Sequence, residues 1–326
     1  MKYNFNKIIY EFEIEAVSPI YFGGSNKGNL VKDSKGNPIL FGNSIGGALR
    51  SYLKLLEVSE DTILKYLGGH KGKDFIESSI YISDGSIKQY DKVYCKEGTK
   101  INPKYGSAEK NHKYTMEYLP PKTVITFEIE CEVQDEYDEK TFNKIIGTWE
   151  KGFKDRAIKL GGQQNNGFGE FKLNQLKYKK FVFKTMGELD RYIFSLDEVE
   201  AKPVKNLKYY DNHNKKQISF SLSGKFPYGV YQSFTDNEEL EQTGLQKFKD
   251  EYYLPATSIK GVVKNEIRIL LSRFIEDEDI ISKRLNEIFG EKERKGKIIF
   301  SDVILINAKP VETKRFKYKE SEELQK

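Results

Sequence analysis

The chain has little of what metal chemistry, membrane insertion or secretion requires. Its 326 residues include two cysteines, Cys95 and Cys131. They allow at most one bridge and form no Cys-x-x-Cys pair, so a cysteine metal site is excluded and a cytoplasmic chain is expected. No apolar run approaches the roughly 20 residues that cross a bilayer, so no membrane partner is expected. The opening MKYNFNKIIYEFEIE alternates charge with apolar residues, unlike a signal peptide. There are three histidines. His70, His112 and His213 lie far apart in polar or glycine-rich stretches, and a lone loop histidine is more often surface than catalytic. The net charge of +5 is too small to mark a nucleic-acid binder by itself.

What is present is strand pattern, aromatic bulk and glycine at particular places. Tyrosine and phenylalanine number 21 each, supplying stacking surface as well as core. The length suggests about two domains. Ile8, Tyr10, Phe12, Ile14 and Ala16 alternate with Glu11, Glu13 and Glu15, the period of a half-buried strand. GNPILFGNSIGGALRSYLKLL reads as an apolar arm and a helix, with Asn43 or Ser44 as N-cap and Ile45, Leu49, Leu53 and Leu56 as one stripe. SSIYISDGSI and TVITFEIECEV read as strands, EKTFNKIIGTWEKGFKDRAI as a helix, and GFGEFKLNQLKY as a last strand. The order β-α-β-β-α-β over residues 1–180 is an α+β, ferredoxin-like (RRM-like) arrangement, whose sheet is a common RNA platform.

Residues 181–215 read as a polar linker, after which the opening repeats. ISFSLSGKF alternates through Ile218, Phe220 and Leu222 as the first strand does. EYYLPATSIKGVVKNEIRILL parallels NPILFGNSIGGALRSYLKLL, and Ser301-Asp302 parallels Ser83-Asp84. Three matched blocks in one order indicate an internal duplication. The second copy, 216–326, is expected to be an incomplete domain, completed by another chain or truncated.

Two helix starts carry candidate chemistry: Asn43, Ser44, Gly46, Gly47 and Arg50 in the first, and Thr257, Ser258, Lys260, Gly261 and Lys264 in the second. Helix N-termini offer unpaired N–H groups and a positive dipole end suited to phosphate. Glycine in a first turn costs about 1 kcal/mol relative to alanine, so its use in both copies points to a close approach. Ordinary capping with tight packing fits the same residues. RAIKLGGQQNNGFGEF raises a similar choice. Gly161, Gly162, Gly167 and Gly169, with the amides Gln163, Gln164, Asn165 and Asn166, suit either a close-packed recognition loop or a plain connector. Lys104, Lys110 and Lys113, with Tyr105, suit phosphate contact and base stacking, or a solvated lysine loop.

These blocks resemble the CRISPR RAMP superfamily, particularly the backbone subunits of type III effectors. GNPILFGNSIGGALRSYL and YYLPATSIKGVVKNEI resemble its Pro-Gly-Ser-Ser-Ile-Lys-Gly helix start, with Gly46 in place of the lysine in the first copy. Phe289-Gly290 followed by IIFSDVIL, and LGGQQNNGFGEF, resemble later blocks, and INPKYGSAEKNHKY resembles the thumb hairpin. The resemblance implies tandem ferredoxin-like domains that hold guide RNA (crRNA) by its backbone in antiviral defence, with guide RNA, target RNA and other effector subunits as partners. The family's cleaving aspartate aligns near Lys27, and Asp33 matches a different, non-catalytic aspartate. In the second copy Asp236 is the nuclease candidate. No cofactor is expected, with magnesium required only if target RNA is cut. Two other readings stay open: a RAMP endoribonuclease processing repeat RNA, and a structural adaptor whose incomplete domain pairs with a neighbouring subunit.

Overall fold

A computed structural model describes residues 6–23, 28–101, 108–212, 220–225, 233–237, 240–243, 246–248, 251–291 and 294–309. The alternating opening forms β1 (Asn6–Ala16). Helix α1 (Gly42–Leu55) buries Gly42, Ile45, Leu49 and Leu53, while Leu56 ends it as the C-cap. Its N-cap is Phe41, not Asn43 or Ser44, and Phe41 has no side-chain acceptor to offer. Helix α2 (Glu60–Leu67) starts on the Ser59 side chain and stops at Gly68, where φ is 70°. A small hairpin follows, β2 (Gly69–Lys71) with β3 (Asp74–Ile76). Next come β4 (Ile80–Ile82), β5 (Ser86–Gln89), and the long hairpin of β6 (Tyr94–Ile101) and β7 (Ala108–Tyr118). Strand β8 (Val124–Val133), helix α3 (Glu136–Lys154) and β9 (Phe171–Val182) complete this part.

The main sheet runs β10-β9-β1-β8-β4, with β5 also on β8, and β10 is the pair Lys202–Pro203. All its pairings are antiparallel. Leaving aside β5 and β10, the order β9-β1-β8-β4 is compatible with a ferredoxin-like unit. Helices α1 and α3 cover one face. Phe12 stacks on its cross-strand partner Phe127 with centroids 5.2 Å apart, and Phe142, Trp149 and Phe153 of α3 close the core from above.

The other face differs from an RNA platform. Glu11 and Glu128 lie side by side across the β1–β8 register, with Glu130 and Glu132 along the same strand. Lys179 pairs with Glu11 at 2.8 Å and Lys172 with Glu15 at 3.0 Å, and Lys7 is held by Glu130. This face is an internally neutralised charge lattice, rich in carboxylates that repel phosphate. Part of it is roofed by α4 (Met186–Phe194), which carries a Thr185–Glu188 capping box and packs Tyr192 on Phe181 and Phe183.

Helix α4 and β10 fall within the stretch read as a linker. That stretch continues onto α3: the Tyr210 N–H donates to Thr148 Oγ1 at 2.9 Å, and Lys144 Nζ sits 3.9 Å above the Tyr210 ring. Apolar residues spaced among many lysines, Leu189, Tyr192, Leu196, Val199 and Leu207, give this polar sequence a buried side.

The later elements are β11 (Ser233–Asn237), β12 (Leu240–Thr243), β13 (Gln246–Phe248), β14 (Glu251–Leu254), α5 (Ala256–Ser272), α6 (Glu278–Phe289), β15 (Gly290–Glu291), β16 (Arg294–Lys295) and β17 (Val303–Leu305). Several bonds repeat those of the first part. The Leu254↔Val303 pairing repeats the Leu40↔Gly85 bridge. Lys297 N–H donates to Ile288 C=O as Ser79 N–H donates to Tyr66 C=O. Gly290 ends α6 with φ 84°, as Gly68 ends α2.

Candidate nucleic-acid interface

Each helix start carries the same carboxylate. The Gly42 N–H donates to Asp84 Oδ1 at 2.7 Å, and the Ala256 N–H donates to Asp302 Oδ1 at 2.7 Å. The matched Ser-Asp dipeptides therefore cap the two helices from a distant strand end, which is why neither helix needs a capping residue of its own. The Ser258 and Ile259 N–H groups turn back to the Pro255 carbonyl at 2.9 and 3.3 Å. Among the described residues the Thr257 N–H has no partner.

Four cations stand at the start and along the flank of α5. Lys96, from β6, donates to Thr257 Oγ1 at 3.1 Å. Among the described residues Lys260 and Lys264 reach only amide oxygens, Asn166 Oδ1 and Asn286 Oδ1, both at a weak 3.4 Å. Arg268 pairs with Glu278 at 2.6 Å. Burial lowers the Lys96 pKa, opposed by attraction to Asp302. Burial and then the neighbouring Lys264 charge lower that of Lys260, while burial and then Arg268 lower that of Lys264, opposed by attraction to Glu291. Asp302 is pushed up by burial, against its bond to Ala256 and the Lys96 charge. Among the described residues no carboxylate lies within ion-pair distance of Lys96, Lys260 or Lys264. Spacing of four residues puts Lys260, Lys264 and Arg268 along one helix face, a row of like charges that an external polyanion would relieve.

The glycine loop is built against this same helix start. A Cβ on Gly167 would fall 2.8 Å from the Ala256 Cβ and 2.8 Å from the Phe300 carbonyl oxygen, and Gly167 has φ +84°. Gly169, at φ +79°, would place a Cβ 2.2 Å from the Leu160 carbonyl oxygen. Gly161 and Gly162 lie against Tyr21. The close approach these glycines permit is of protein to protein. The amides also turn inward: Gln164 Nε2 donates to the Gly161 carbonyl at 2.7 Å and Asn166 Nδ2 to Gln163 Oε1 at 2.6 Å. Gly167→Ala is expected to lift the loop off α5 and speed amide exchange across the first turn of α5, at a cost of about 1–2 kcal/mol from the left-handed backbone plus the clash. Unchanged exchange there would rule this packing role out.

The first helix start is arranged differently. Asn43, Ser44 and Gly47 are exposed, and Gly46 faces Ile82. Arg50 donates to the Leu67 and Gly68 carbonyls, both at 2.6 Å, so its guanidinium caps the end of α2. In the second copy Ser258 and Gly261 are exposed, with open space at Gly261. Lys104 and Tyr105 lie outside the described residues, as do Lys27 and His213. Lys110 and Lys113 lie on β7, where Lys113 pairs with Thr99, and His112 is on the same strand. Asp236 lies in β11 at a register shift opposite β12. Asp33 closes its own loop, accepting from the Lys35 and Asn37 N–H groups at 2.8 and 2.9 Å. Those bonds, led by Asn37, lower its pKa. His70 is exposed and packs edge-on to Phe75.

Lys96, Arg268 and Asp302 were not singled out from sequence as site residues. Asp302 had a signal, the repeated Ser-Asp dipeptide. Lys96 had none, since one lysine in VYCKEGTK looks like any other.

The sequence pattern of the RAMP superfamily matches residues 13–172 and 224–325. With most of its length matched in two blocks, the chain belongs to the RAMP superfamily. Membership implies a CRISPR-associated role in RNA binding or processing. No curated protein matches the chain. Among the described residues no helix is long and apolar enough to cross a membrane, and no group of three His, Cys, Asp or Glu could hold a metal ion.

Proposed function

We propose that the chain is a guide-RNA-holding subunit of a type III-like CRISPR effector, shaping the guide–target duplex while base pairing supplies sequence specificity. Its parts are a RAMP unit over 1–180, a connecting stretch over 181–215 and elements of a second RAMP unit over 216–326. The observation that carries this reading is the cation row Lys260, Lys264 and Arg268, continued by Lys96 at the helix start. Among the described residues two of its amines have only distant amide partners, and burial first, then a neighbouring cation, lowers the pKa of each. Such a row is unfavourable alone and suits successive phosphates of one strand. The carboxylate lattice on the sheet face argues for RNA along the flank of α5 rather than on the sheet.

Binding of labelled guide-like RNA across a salt series tests this, followed by target RNA with magnesium. Wild-type protein is expected to bind with a steep salt dependence. The double variant K260A/K264A is expected to lose about tenfold or more in affinity at moderate salt, and its log–log salt slope to fall by about 1.4, near 0.7 per phosphate contact on a single strand. Salt-independent binding, or a double variant equal to wild type, would sink the proposal. Cutting of the target by wild type but not by Asp236→Ala would instead make the second copy a nuclease.

A further inference from the structure

The chain that leaves β9 stays bound to the unit it has just completed. After α4 has roofed part of the far sheet face, Lys202 and Pro203 pair with Tyr178 and Lys177 on the outer edge of β9. The Val204 N–H then donates to the Leu176 carbonyl at 3.2 Å. At Asn206 the backbone enters the left-handed region, with φ 54°, and the chain turns from that edge onto the helical layer. Val204, Leu207 and Tyr210 all pack against the main core.

Helix α3 is shaped to receive this segment. Gly147 sits in the interior of α3, where glycine weakens a helix relative to alanine. A Cβ at that position would stand 2.3 Å from the Lys208 carbonyl oxygen and 2.7 Å from the Leu207 Cβ. The adjoining Thr148 is buried, and its hydroxyl donates to the Lys144 carbonyl at 2.7 Å while accepting from the Tyr210 N–H at 2.9 Å. Lys144 Nζ lies 3.9 Å from the Tyr210 ring centroid, and Lys151 Nζ 5.9 Å from that of Tyr209. Spacings of three and four put Lys144, Gly147, Thr148 and Lys151 on one helix face, and the segment uses all of them.

We infer that residues 202–212 are a latch that docks and releases as one unit, with Gly147 as its seat and Asn206 as its hinge. One hydrogen bond at either end gives a modest net gain, less than the cost of ordering the residues between them. The edge contact and the helix contact therefore hold together or not at all. Docking covers the outer edge of β9 at Tyr178 and Lys177. It also makes the helical layer, rather than that edge, the place from which the chain continues. Release bares the Gly147 backbone, the Thr148 hydroxyl and the Lys144 ammonium in the same step. No RNA contact enters this balance, so the latch is read out without RNA.

Two substitutions in the full chain attack the latch from opposite sides while amide hydrogen exchange is followed. Gly147→Ala fills the seat from the helix, and Asn206→Val places a β-branched residue at positive φ in the segment itself. Each is expected to speed exchange at both the Val204 and the Tyr210 N–H by about tenfold or more. The α3 amides of Ile145 and Trp149 are expected to keep wild-type rates, because alanine favours the helix. Faster exchange at Tyr210 with Val204 unchanged would mean two separate contacts and overturn the latch. Exchange that speeds equally at Ile145 and Trp149 in Gly147→Ala would assign the glycine to the packing of α3 and overturn it as well. Wild-type rates at both N–H groups in both variants would do the same.

Discussion

Replacing Trp149 with alanine is expected to destabilise the sheet-and-helix layer of the N-terminal part by about 3–5 kcal/mol, the range for removing a large buried aromatic. Trp149 is fully buried in α3, between the sheet and α1. Its Nε1–H donates to the Leu49 carbonyl at 3.2 Å, tying the two helices at their crossing. Phe142 and Phe153 of the same helix are also fully buried and belong to the same core cluster. The loss combines the transfer free energy of the ring with the cavity it leaves. Urea denaturation followed by circular dichroism measures it. A loss below about 1 kcal/mol would mean that α3 does not seat on α1 as described.

Asp302→Ala is expected to loosen the contact between the long β6–β7 hairpin and α5 by about 1–3 kcal/mol, the cost of leaving a buried N–H without its acceptor. The carboxylate accepts from Ala256 at 2.7 Å and offsets the charge of the partly buried Lys96. Its loss leaves the Ala256 N–H without that acceptor and removes the attraction that offsets the Lys96 charge, while Lys96 keeps its bond to Thr257. The pH dependence has a definite sign. Burial holds the folded-state pKa of Lys96 below its unfolded value, so the unfolded chain binds more protons between the two and stability rises with pH across that window. Removing Asp302 lowers the folded value further, so the deficit of the variant shrinks as pH rises toward the ordinary lysine range. Exchange of the first-turn amides of α5, compared at neutral and alkaline pH, measures both effects. A deficit that grows with pH would exclude Lys96 as its source, and the variant Lys96→Met/Asp302→Leu is expected to recover only the part of the loss that comes from Lys96, since the Ala256 N–H still lacks its acceptor.

Much of this fold is legible in the chain because the period-two and period-3.6 patterns are strong. Ile8 to Ala16 announces β1, and Ile45, Leu49 and Leu53 announce the buried stripe of α1. The folded stretch between Val182 and Tyr210 is harder to see. Its apolar residues are diluted by lysines, and what buries them is the far face of a sheet assembled from distant strands. The helix caps show the same limit. Asn43 and Ser44 have the chemistry of a cap, yet the acceptor comes from Asp84, some 40 residues on, a choice that only the tertiary structure makes. The glycine loop was readable as a site of close approach. That its neighbour would be Ala256 rather than the first helix start or a bound strand was not, since sequence gives the freedom of a loop and not its destination. Arg50 is a similar case, a cation whose partners are two carbonyls brought near by the turn after α2.

The paired carboxylate caps also bear on what the protein ignores. Each helix start already has an anion of its own on the first N–H, so the spot where a lone phosphate or a mononucleotide would gain most is taken. The cations of α5 stand along the helix flank, where a single charge engages one amine and gains little. A polymer that engages several at once gains by their number. On the guide-holding reading, small phosphates abundant in a cell would then be weak competitors, and the length of the strand, rather than any one contact, would set what is retained.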